Sequence, residues 1–457
     1  MEKDIEIGIS SESQRFYQFL SQPNNDRIVF SGKFGIGKTY FIDKFFNEGP
    51  YSKVFIPIYI SPVNYAIASN EDIFEYIKVN ILFELLKEIP CDFTKLNISF
   101  TTGAYYYLKE NSLDIIANIF SKFEKLSLGT DFIDYLLKLK KDIDKFIVEN
   151  KRDEKDEIEC FVKELSEKKG SLYENDIISQ IIRTLINTYK NDNNKKLVFI
   201  VDDLDRIDPE HIFRIMNVLS AHDDFCGDNQ HKFGFDKTIL ICDIENIKNI
   251  YHGHHGIDVD FNGYIDKFYS KEIYHFRNID NIIDTINLII SNTYAEGENI
   301  SNIFDPEWRK LFNYTIKNLL IFGELNLRTL LKLVDKNIDM RRIIRLTSYN
   351  KILNSDSPAI IFFDILNSLY STPTEMYNSI RKIEFERYKA NEYISKSFMI
   401  IAGYNPDFMS EDTHKYNGHI FTIQQNSFMA SIPDLGTFIS GDELIKDACK
   451  NYVNYFI

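Results

Sequence analysis

The segment Ser31-Gly32-Lys33-Phe34-Gly35-Ile36-Gly37-Lys38-Thr39 decides the fold of this chain. It follows the apolar run Arg27-Ile28-Val29-Phe30, and Phe41, Ile42 and Phe45 come after it at helical spacing. Strand, loop and helix in that order are the context in which the pattern G-x-x-x-x-G-K-[ST] forms a phosphate-binding loop, the P-loop. A glycine-rich turn without a ligand is the alternative, and the matching flanks favour the P-loop.

The residue types in this segment each have a chemical reason to be there. Gly32, Gly35 and Gly37 allow the backbone to turn so that successive N–H groups point at phosphate oxygens. Lys38 would reach the β and γ phosphates, and the hydroxyl of Thr39 would bind Mg²⁺. The predicted nucleotide-binding residues in this part of the chain are Gly32, Lys33, Phe34, Gly35, Ile36, Gly37, Lys38, Thr39 and Tyr40.

A second motif, Leu197-Val198-Phe199-Ile200-Val201-Asp202-Asp203, is a continuous apolar run that ends in two carboxylates. Such a run predicts a strand buried on both faces of a parallel sheet, with its carboxyl end at the ligand-binding edge. Asp202 would hold Mg²⁺ through water, and Asp203 would orient or deprotonate the attacking water. An acidic turn before a helix is the alternative, but the presence of Lys38 favours the catalytic interpretation.

Composition favours a globular protein in a reducing compartment. The chain has 457 residues, of which 44% are hydrophobic, enough for two or three domains with substantial cores. Five scattered cysteines without a C-x-x-C pair predict a reducing cytosol and no zinc site. The acidic N-terminus predicts no signal peptide, and no apolar stretch is long enough to predict a membrane span. We therefore expect a cytoplasmic location.

Charge and histidine patterns leave two weaker functional signals. The 53 basic and 68 acidic residues give a net charge of -15, which disfavours general binding to nucleic acid. Arg341-Arg342-Ile343-Ile344-Arg345 is the best candidate for a local basic patch, although a charged helix face is favoured there. His252, His254 and His255 lack the i, i+4 spacing of a helical metal site, and a polar loop is favoured.

The order of predicted elements is that of a doubly wound, mainly parallel α/β sheet. Further strands are predicted at residues 53–60, 238–243 and 271–276, and Pro57 places the first of them at a sheet edge because proline cannot donate to a ladder. Asp208 is predicted to cap a helix that begins at Pro209.

The prediction divides the chain into five segments. Residues 1–62 and 196–277 form the two parts of a P-loop NTPase core, and residues 63–195 form a large helical insert between them. Residues 278–350 form a helical lid, and residues 351–457 form a mostly helical C-terminal region with a possible hairpin at 419–428. Within the insert, helices are predicted around Ile73 to Leu85, at 114–125, at 132–148 and from Ile177 onward, and the charged segment 150–169 is predicted to be solvent-exposed. Lid helices are predicted at 280–291, 306–320 and 325–336.

Several of these motifs resemble those of the KAP family of P-loop NTPases. The P-loop is similar to the family's G-x-W-G-x-G-K-S form, with Phe34 in place of tryptophan, and Asp202-Asp203-Leu204-Asp205-Arg206-Ile207-Asp208-Pro209 closely resembles its D-D-L-D-R-x-x-P signature. Tyr264-Ile265-Asp266-Lys267-Phe268 resembles the family's Y-L-E-K-I segment, and Asn326-Leu327-Arg328 resembles the N-x-R of its lid. The resemblance covers about half of the chain and neither the insert nor the tail. Many family members carry membrane helices where this chain has its insert.

Three residues outside the P-loop each keep two interpretations. Arg206 is either an arginine finger, or its anchor, for a neighbouring subunit's nucleotide, or it pairs with Asp205 or Asp208. Arg328 would fold over the γ-phosphate from the lid, which the resemblance favours over a surface arginine. Asp243 would sense the γ-phosphate through water or cap the following helix. The candidate catalytic residues are therefore Asp203, Lys38, Arg206 and Arg328.

The resemblance implies an ATPase related to the AAA+ and STAND groups. We expect ATP and Mg²⁺ as cofactors and a homo-oligomer as the assembly. It also implies a link to bacterial defence against phages and plasmids. We expect a nucleotide-driven switch of conformation or assembly, with a separate effector protein as a possible partner. An ATP-binding scaffold with little turnover and a nucleic-acid-stimulated motor are the alternatives.

Overall fold

The structure is a computed structural model of the chain. It describes residues 6–65, 73–89, 141, 177–220, 233–295, 297–334, 336–338, 343–346, 351–354, 358–385, 394, 397–398, 401–402, 413–416, 419–423, 429–432 and 437–455. The chain divides into two compact units. We call residues 12–32 and 38–276 the sheet unit, and residues 1–11, 33–37 and 277–457 the helical unit.

A parallel sheet forms the centre of the sheet unit. Its strands are β1 (Arg27–Ser31), β2 (Phe55–Ile60), β3 (Lys196–Val201), β4 (Lys237–Cys242) and β5 (Tyr274–His275). They lie in the spatial order β2-β3-β4-β1-β5, and every neighbouring pair is parallel. The predicted α/β fold is confirmed, and β2 lies at an edge as Pro57 indicated.

The burial of the strands follows their sequences. Five successive residues of β3, from Leu197 to Val201, are buried, and all six residues of β4 are buried. Strands that are buried along nearly their whole length are typical of parallel sheets whose two faces are both covered. The fifth strand is shorter than the predicted 271–276, because only Tyr274 and His275 pair with the end of β1.

Seven α-helices in this part of the chain are described from end to end. They are α1 (Ser10–Leu20), α2 (Lys38–Asn47), α3 (Ile73–Glu88), α4 (Ile177–Asp192), α5 (Pro209–Ser220), α6 (Ile244–His255) and α7 (Phe261–Ile265). Helix α3 packs on β2 and on α4. Helices were predicted in both of these segments, and both predictions are confirmed. Within the helix predicted at 132–148, only Lys141 is described, and it is helical. The helix predicted at 114–125 and the charged segment 150–169 lie outside the described residues.

An aromatic cluster joins α1 to the strand and helix that flank the P-loop. Phe16 is fully buried, and its ring centroid lies 5.2 Å from that of Phe30 in β1 and 4.9 Å from that of Phe45 in α2. Tyr274 in β5 lies 4.9 Å from the same ring. Helix α1 therefore packs against both β1, which precedes the P-loop, and α2, which follows it.

The histidines assigned to a polar loop lie instead in a helix. Helix α6 continues through His252, His254 and His255 and ends where Gly256 adopts a φ of 102°. The N–H of Gly256 donates to the carbonyl of His252 at 2.9 Å, which closes the last turn. Gly253 does not interrupt the helix, because an isolated glycine costs a helix only about 1 kcal/mol.

The structure describes seven further helices of the helical unit from end to end. They are α8 (Ile279–Ser291), α9 (Ile300–Ile303), α10 (Pro306–Phe322), α11 (Leu327–Leu331), α12 (Pro358–Asn367), α13 (Pro373–Ile380) and α14 (Gly441–Tyr455). Trp308, the one tryptophan of the chain, is fully buried among Phe304, Phe362 and Phe398. The predicted helix at 325–336 is reduced to α11, followed by turns.

Short strands in the helical unit differ from expectation. A three-stranded sheet contains β6 (Tyr294–Ala295), β7 (Glu298–Asn299) and β8 (Asn337–Ile338), and an antiparallel pair contains β9 (Ile343–Leu346) and β10 (Lys351–Asn354). The helix face proposed for 341–345 is therefore wrong where 343–345 are described. The possible hairpin at 419–428 is part of a larger antiparallel sheet of β11 (Thr413–Tyr416), β12 (His419–Ile423), β13 (Met429–Ile432) and β14 (Thr437–Ser440).

Within the described ranges, no helix combines the length and the apolar character that crossing a bilayer requires.

Candidate functional site

The sheet topology brings the ends of the motif-bearing strands to one edge. Strand β4 lies between β1 and β3, and all three run in the same direction. Ser31 at the end of β1, Asp202 after β3 and Asp243 after β4 therefore emerge at the same carboxyl edge. This edge is where ligands bind in open α/β sheets.

The start of the P-loop is anchored to β4. The N–H of Gly32 donates to the carbonyl of Cys242 at 3.1 Å. The hydroxyl of Ser31, a buried residue, accepts the N–H of Ile244 at 3.0 Å. Two hydrogen bonds thus connect the start of the loop to the end of β4 and the first turn of α6.

Lys38 folds back toward the loop that precedes it. It is the first residue of α2 and is 8% exposed. Its ammonium donates to the carbonyl oxygen of Gly32 at 2.7 Å. Lys38 therefore places its ammonium beside the predicted phosphate-binding loop and at the N-terminus of α2, where positive charge and helix N–H groups favour an anion.

Thr39 and Asp202 connect the two predicted motifs directly. The hydroxyl of Thr39 donates to Oδ2 of Asp202 at 2.7 Å, although 163 residues separate them. Asp202 is 2% exposed, and its Oδ1 accepts the N–H of Asp203 at 2.8 Å. Hydroxyl and carboxylate oxygens are the donor atoms that Mg²⁺ takes from proteins, so this pair fits the metal that the motifs imply.

Tyr59 is a member of this cluster that the sequence analysis did not identify. It lies near the end of β2, and its hydroxyl donates to Oδ2 of Asp202. Burial, followed by the negative charge of Asp202, raises the pKa of the Tyr59 phenol, which keeps it a donor. One signal in the sequence could have identified it. Tyr59 is the next-to-last residue of β2, and β2 lies beside β3 in the sheet.

Burial also sets the protonation behaviour of Asp202. It raises the pKa of the carboxyl group, while the hydrogen bonds from Tyr59 and Thr39 lower it, and the net direction is upward. The ionised form of Asp202 is therefore less favourable than that of an exposed aspartate, and a cation placed beside it would offset this cost.

Asp203 and Arg206 form an ion pair after β3. Asp203 adopts a left-handed conformation with a φ of 53°, and a guanidinium N–H of Arg206 donates to its Oδ2 at 2.8 Å. This differs from the pairing expected with Asp205 or Asp208. The reason is the short 3₁₀ helix Leu204–Arg206, which returns Arg206 to the side chain three residues earlier. Asp205 accepts a hydrogen bond from Asn246, and Asp208 caps α5 as predicted.

Asp243 caps the helix that follows β4. It follows β4, and its carboxylate accepts the N–H of Glu245 at 3.2 Å as the cap of α6. The capping role is thus observed. A second role toward the γ-phosphate remains a prediction.

The middle of the P-loop, residues 33–37, packs within the helical unit. Gly35 and Gly37 have φ values of 74° and 94°, a conformation that glycine adopts without strain. The carbonyl of Gly35 accepts the N–H of Leu327 at 2.8 Å. A Cβ at Gly35 would lie 2.3 Å from the Cβ of Asn326, so there is no room for a side chain between Gly35 and the cap of α11.

The predicted site residues therefore fall into two groups. Lys38, Thr39, Asp202 and Asp203 lie in the sheet unit, where hydrogen bonds join Thr39 to Asp202 and Asp202 to Asp203. Arg328 lies in α11 and is exposed. Within the P-loop, Phe34 is 53% exposed, and Ile36 is buried; after it, Tyr40 is half-buried. The assigned roles of all these residues remain predictions.

Comparison with known proteins agrees with the fold and the motifs. The family model described as the KAP family P-loop domain matches residues 9–349, a range that contains all five strands of the parallel sheet, the P-loop, Asp202 and Asn326-Leu327-Arg328. No curated protein and no solved structure matches the chain. Because the family match spans well over half of the residues, this chain belongs to the KAP family of P-loop NTPases.

Proposed function

We propose that this protein binds ATP with Mg²⁺, hydrolyses it, and uses hydrolysis to switch its conformation or assembly. Family membership supports nucleotide binding and hydrolysis in general. The single observation that carries the more specific proposal is the 2.7 Å hydrogen bond from Thr39 to Asp202. It joins the P-loop motif to the carboxylate motif at the edge of the sheet where ligands bind.

The binding step would use groups that already lie close together. The N-terminal turn of α2 and the ammonium of Lys38 would hold the phosphate oxygens. To do so, Lys38 would exchange its hydrogen bond with the Gly32 carbonyl for one with phosphate. Thr39 and Asp202 would hold Mg²⁺, which neutralises charge that develops on the phosphates when it is bound.

The hydrolytic step would depend on Asp203. Its carboxylate is half-buried beside Asp202 and is oriented by Arg206. Asp203 would accept a hydrogen bond from the attacking water and place it in line with the γ-phosphate. Lys38 would stabilise the charge of the transferring group, since positioned cations contribute most when they face developing charge.

The switch is supported by the contacts of residues 33–37 within the helical unit. The same glycine loop that would surround the phosphates is hydrogen-bonded to Leu327 and lies against Asn326. A change in the loop on nucleotide binding or release would change these contacts, which gives the two states different energies. Arg328, two residues after Asn326, would respond to the γ-phosphate.

The biological setting is a proposal that rests on family resemblance. We propose a cytoplasmic homo-oligomer that acts in bacterial defence against phages or plasmids, together with a separate effector protein. Binding to nucleic acid would require a local basic surface, since the net charge of the chain is -15.

The test of the proposed function is ATP turnover by the wild type, Lys38→Ala and Asp203→Asn, with particle size measured with and without ATP. Turnover by the wild type, lost in both variants and accompanied by an ATP-dependent change in size, supports the switch. Lys44→Ala is a matched control on the same helix, because Lys44 lies in the last turn of α2 and pairs with Glu48, the residue after that helix. ATP binding without turnover, with or without nucleic acid, would instead indicate an ATP-binding scaffold.

A further inference from the structure

Tyr59 belongs to neither sequence motif, yet it contacts the carboxylate that joins them. Its hydroxyl donates to Oδ2 of Asp202, the same oxygen that accepts the hydroxyl of Thr39 at 2.7 Å. The other oxygen of Asp202 accepts the N–H of Asp203 at 2.8 Å. Three donors from three different parts of the chain therefore orient one buried carboxylate.

The register of the sheet explains how Tyr59 reaches this position. Tyr59 is paired with Ile200 and Ile60 with Val201, and the N–H of Asp202 donates to the carbonyl of Ile60 at 3.0 Å. The ladder between β2 and β3 thus continues to Asp202. Ile58 and Ile60 are buried on one face of β2, so the alternation of the strand directs Tyr59 to the other face.

A carboxylate with this many donors has little freedom to rotate. Rotation of the Asp202 side chain would break the hydrogen bonds from Thr39 and Tyr59 together and leave the buried Asp202 oxygen without these donors. Thr39 and Tyr59 differ in one respect. The hydroxyl oxygen of Thr39 would bind the metal while its hydrogen still points to Asp202. Tyr59 is not one of the two proposed metal ligands, which are Thr39 and Asp202.

We propose that Tyr59 is a positioning residue for the magnesium half of the site, and that it holds Asp202 in the orientation in which Asp202 and Thr39 face the same ion. This inference rests on the proposed function, because it assumes a nucleotide-bound Mg²⁺. Groups that orient metal ligands through hydrogen bonds typically change metal affinity by about 10–100-fold when they are removed. Tyr59→Phe removes only the hydroxyl and keeps the ring.

The experiment measures binding of a fluorescent ATP analogue to the full chain, with no catalytic readout. Binding is titrated with Mg²⁺ and is also measured in excess EDTA. For Tyr59→Phe we expect the Mg²⁺ concentration that gives half of the maximal increase in nucleotide binding to rise about tenfold or more. The affinity for the nucleotide in EDTA should be unchanged. Tyr59→His, which retains a ring donor, is expected to recover part of the loss and provides a second test if the phenylalanine variant folds poorly.

Tyr269→Phe is the matched control. Tyr269 also donates to an aspartate, Asp266, at 2.7 Å, but this pair lies in the segment that leads from α7 toward β5. We expect its Mg²⁺ dependence to equal that of the wild type. Thermal unfolding of each variant verifies that the fold is retained.

The outcomes separate the inference from the proposed function. Mg²⁺-dependent binding by the wild type with an unchanged Mg²⁺ requirement in Tyr59→Phe would overturn the role of Tyr59 and leave the proposed function standing. Equal weakening in Mg²⁺ and in EDTA would show that Tyr59 is only structural. A wild type whose nucleotide binding is absent or indifferent to Mg²⁺ would overturn both.

Discussion

Arg206 donates a 2.8 Å hydrogen bond to Asp203, the residue that we propose acts on the attacking water. The Arg206 side chain is 43% exposed and that of Asp203 is 27% exposed. An ion pair this accessible to solvent contributes at most about 1 kcal/mol to stability. Its consequence for the protein is therefore the orientation of Asp203, whose backbone already adopts the left-handed conformation.

We predict that Arg206→Ala lowers kcat for ATP about tenfold or more and shifts the melting temperature only slightly. The physical reason is that the Asp203 carboxylate loses its orienting donor while the surrounding fold loses little energy. Turnover at saturating ATP, together with thermal unfolding, measures both quantities. Arg206→Lys keeps the charge and is expected to restore part of kcat.

A mixing experiment distinguishes orientation within one subunit from an arginine finger between subunits. If Arg206 acts only on the Asp203 of its own chain, a mixture of Arg206→Ala and Asp203→Asn remains as slow as either variant alone. Recovery of turnover in the mixture would show that Arg206 acts on a neighbouring subunit's nucleotide, and the orienting role would be wrong.

Gly35 is the P-loop position with the least tolerance for a side chain. We predict that Gly35→Ala weakens ATP binding and lowers the free energy of unfolding by more than about 1 kcal/mol, because alanine is strained at positive φ. The clash with Asn326, whose Cβ would lie 2.3 Å away, adds to this cost. Chemical denaturation and calorimetric titration with ATP and Mg²⁺ measure the two effects.

Two variants test this explanation for Gly35. Gly253→Ala is the matched control, since Gly253 lies within α6 and a Cβ there would meet no atom of the described residues within 4 Å. Alanine at this position should stabilise the helix by about 0.5–1 kcal/mol. Adding Asn326→Gly to Gly35→Ala removes the clash but not the backbone strain, so we expect partial recovery of stability. Full wild-type behaviour of Gly35→Ala would contradict the close approach.

Lys237 is expected to make stability depend on alkaline pH. Its ammonium is buried and donates to the carbonyl of Asn25 at 2.7 Å, and burial lowers its pKa, partly offset by Asp26. Between this lowered pKa and the ordinary lysine value of about 10.4, the unfolded chain binds more protons than the folded chain. The contribution of Lys237 to the free energy of unfolding therefore rises with pH in that window.

The measurement compares wild type with Lys237→Met by urea unfolding at several pH values up to about 10. The difference in free energy of unfolding, wild type minus variant, should increase with pH. It should persist at high salt, because the cost of burying the ammonium is not screened as exposed charges are. If the free energies of unfolding of wild type and variant differed by the same amount at every pH, the pKa of Lys237 would not be lowered in the folded protein.

Phe16 links α1 to the elements around the P-loop, and we predict that Phe16→Ala costs about 3–5 kcal/mol of stability. Phe16 is fully buried and contacts Phe30, Phe45 and Tyr274, so truncation leaves a cavity that these rings cannot fill. Equilibrium denaturation measures the loss.

Phe322→Ala is the comparison for Phe16, because Phe322 is 46% exposed and surface substitutions usually change stability by no more than about 0.5 kcal/mol. A loss of similar size at both positions would indicate that Phe16 is not part of a tightly packed core.

The sheet was predictable because its signals are local. Continuous apolar runs, Pro57 in β2 and the cap at Asp208 each constrain their own segment, and all were confirmed. The wrong predictions concern where a helix ends and how many strands a sheet contains. Helix α6 continues through Gly253 until Gly256 ends it, and the sheet containing β11 to β14 extends beyond the single hairpin that was expected.

By itself, the sequence determined the P-loop, the paired aspartates after β3 and the parallel sheet. The spacing of glycine, lysine and acidic residues identifies the two motifs, and the continuous apolar runs identify the buried strands, because each pattern reflects the backbone conformation of its own segment. Only the tertiary structure decided which side chains meet. Tyr59 reaches Asp202 because β2 pairs with β3 in one particular register, and Arg206 reaches Asp203 because a 3₁₀ turn reverses the chain. Such contacts depend on strand order and turn geometry, which no single segment of the chain encodes.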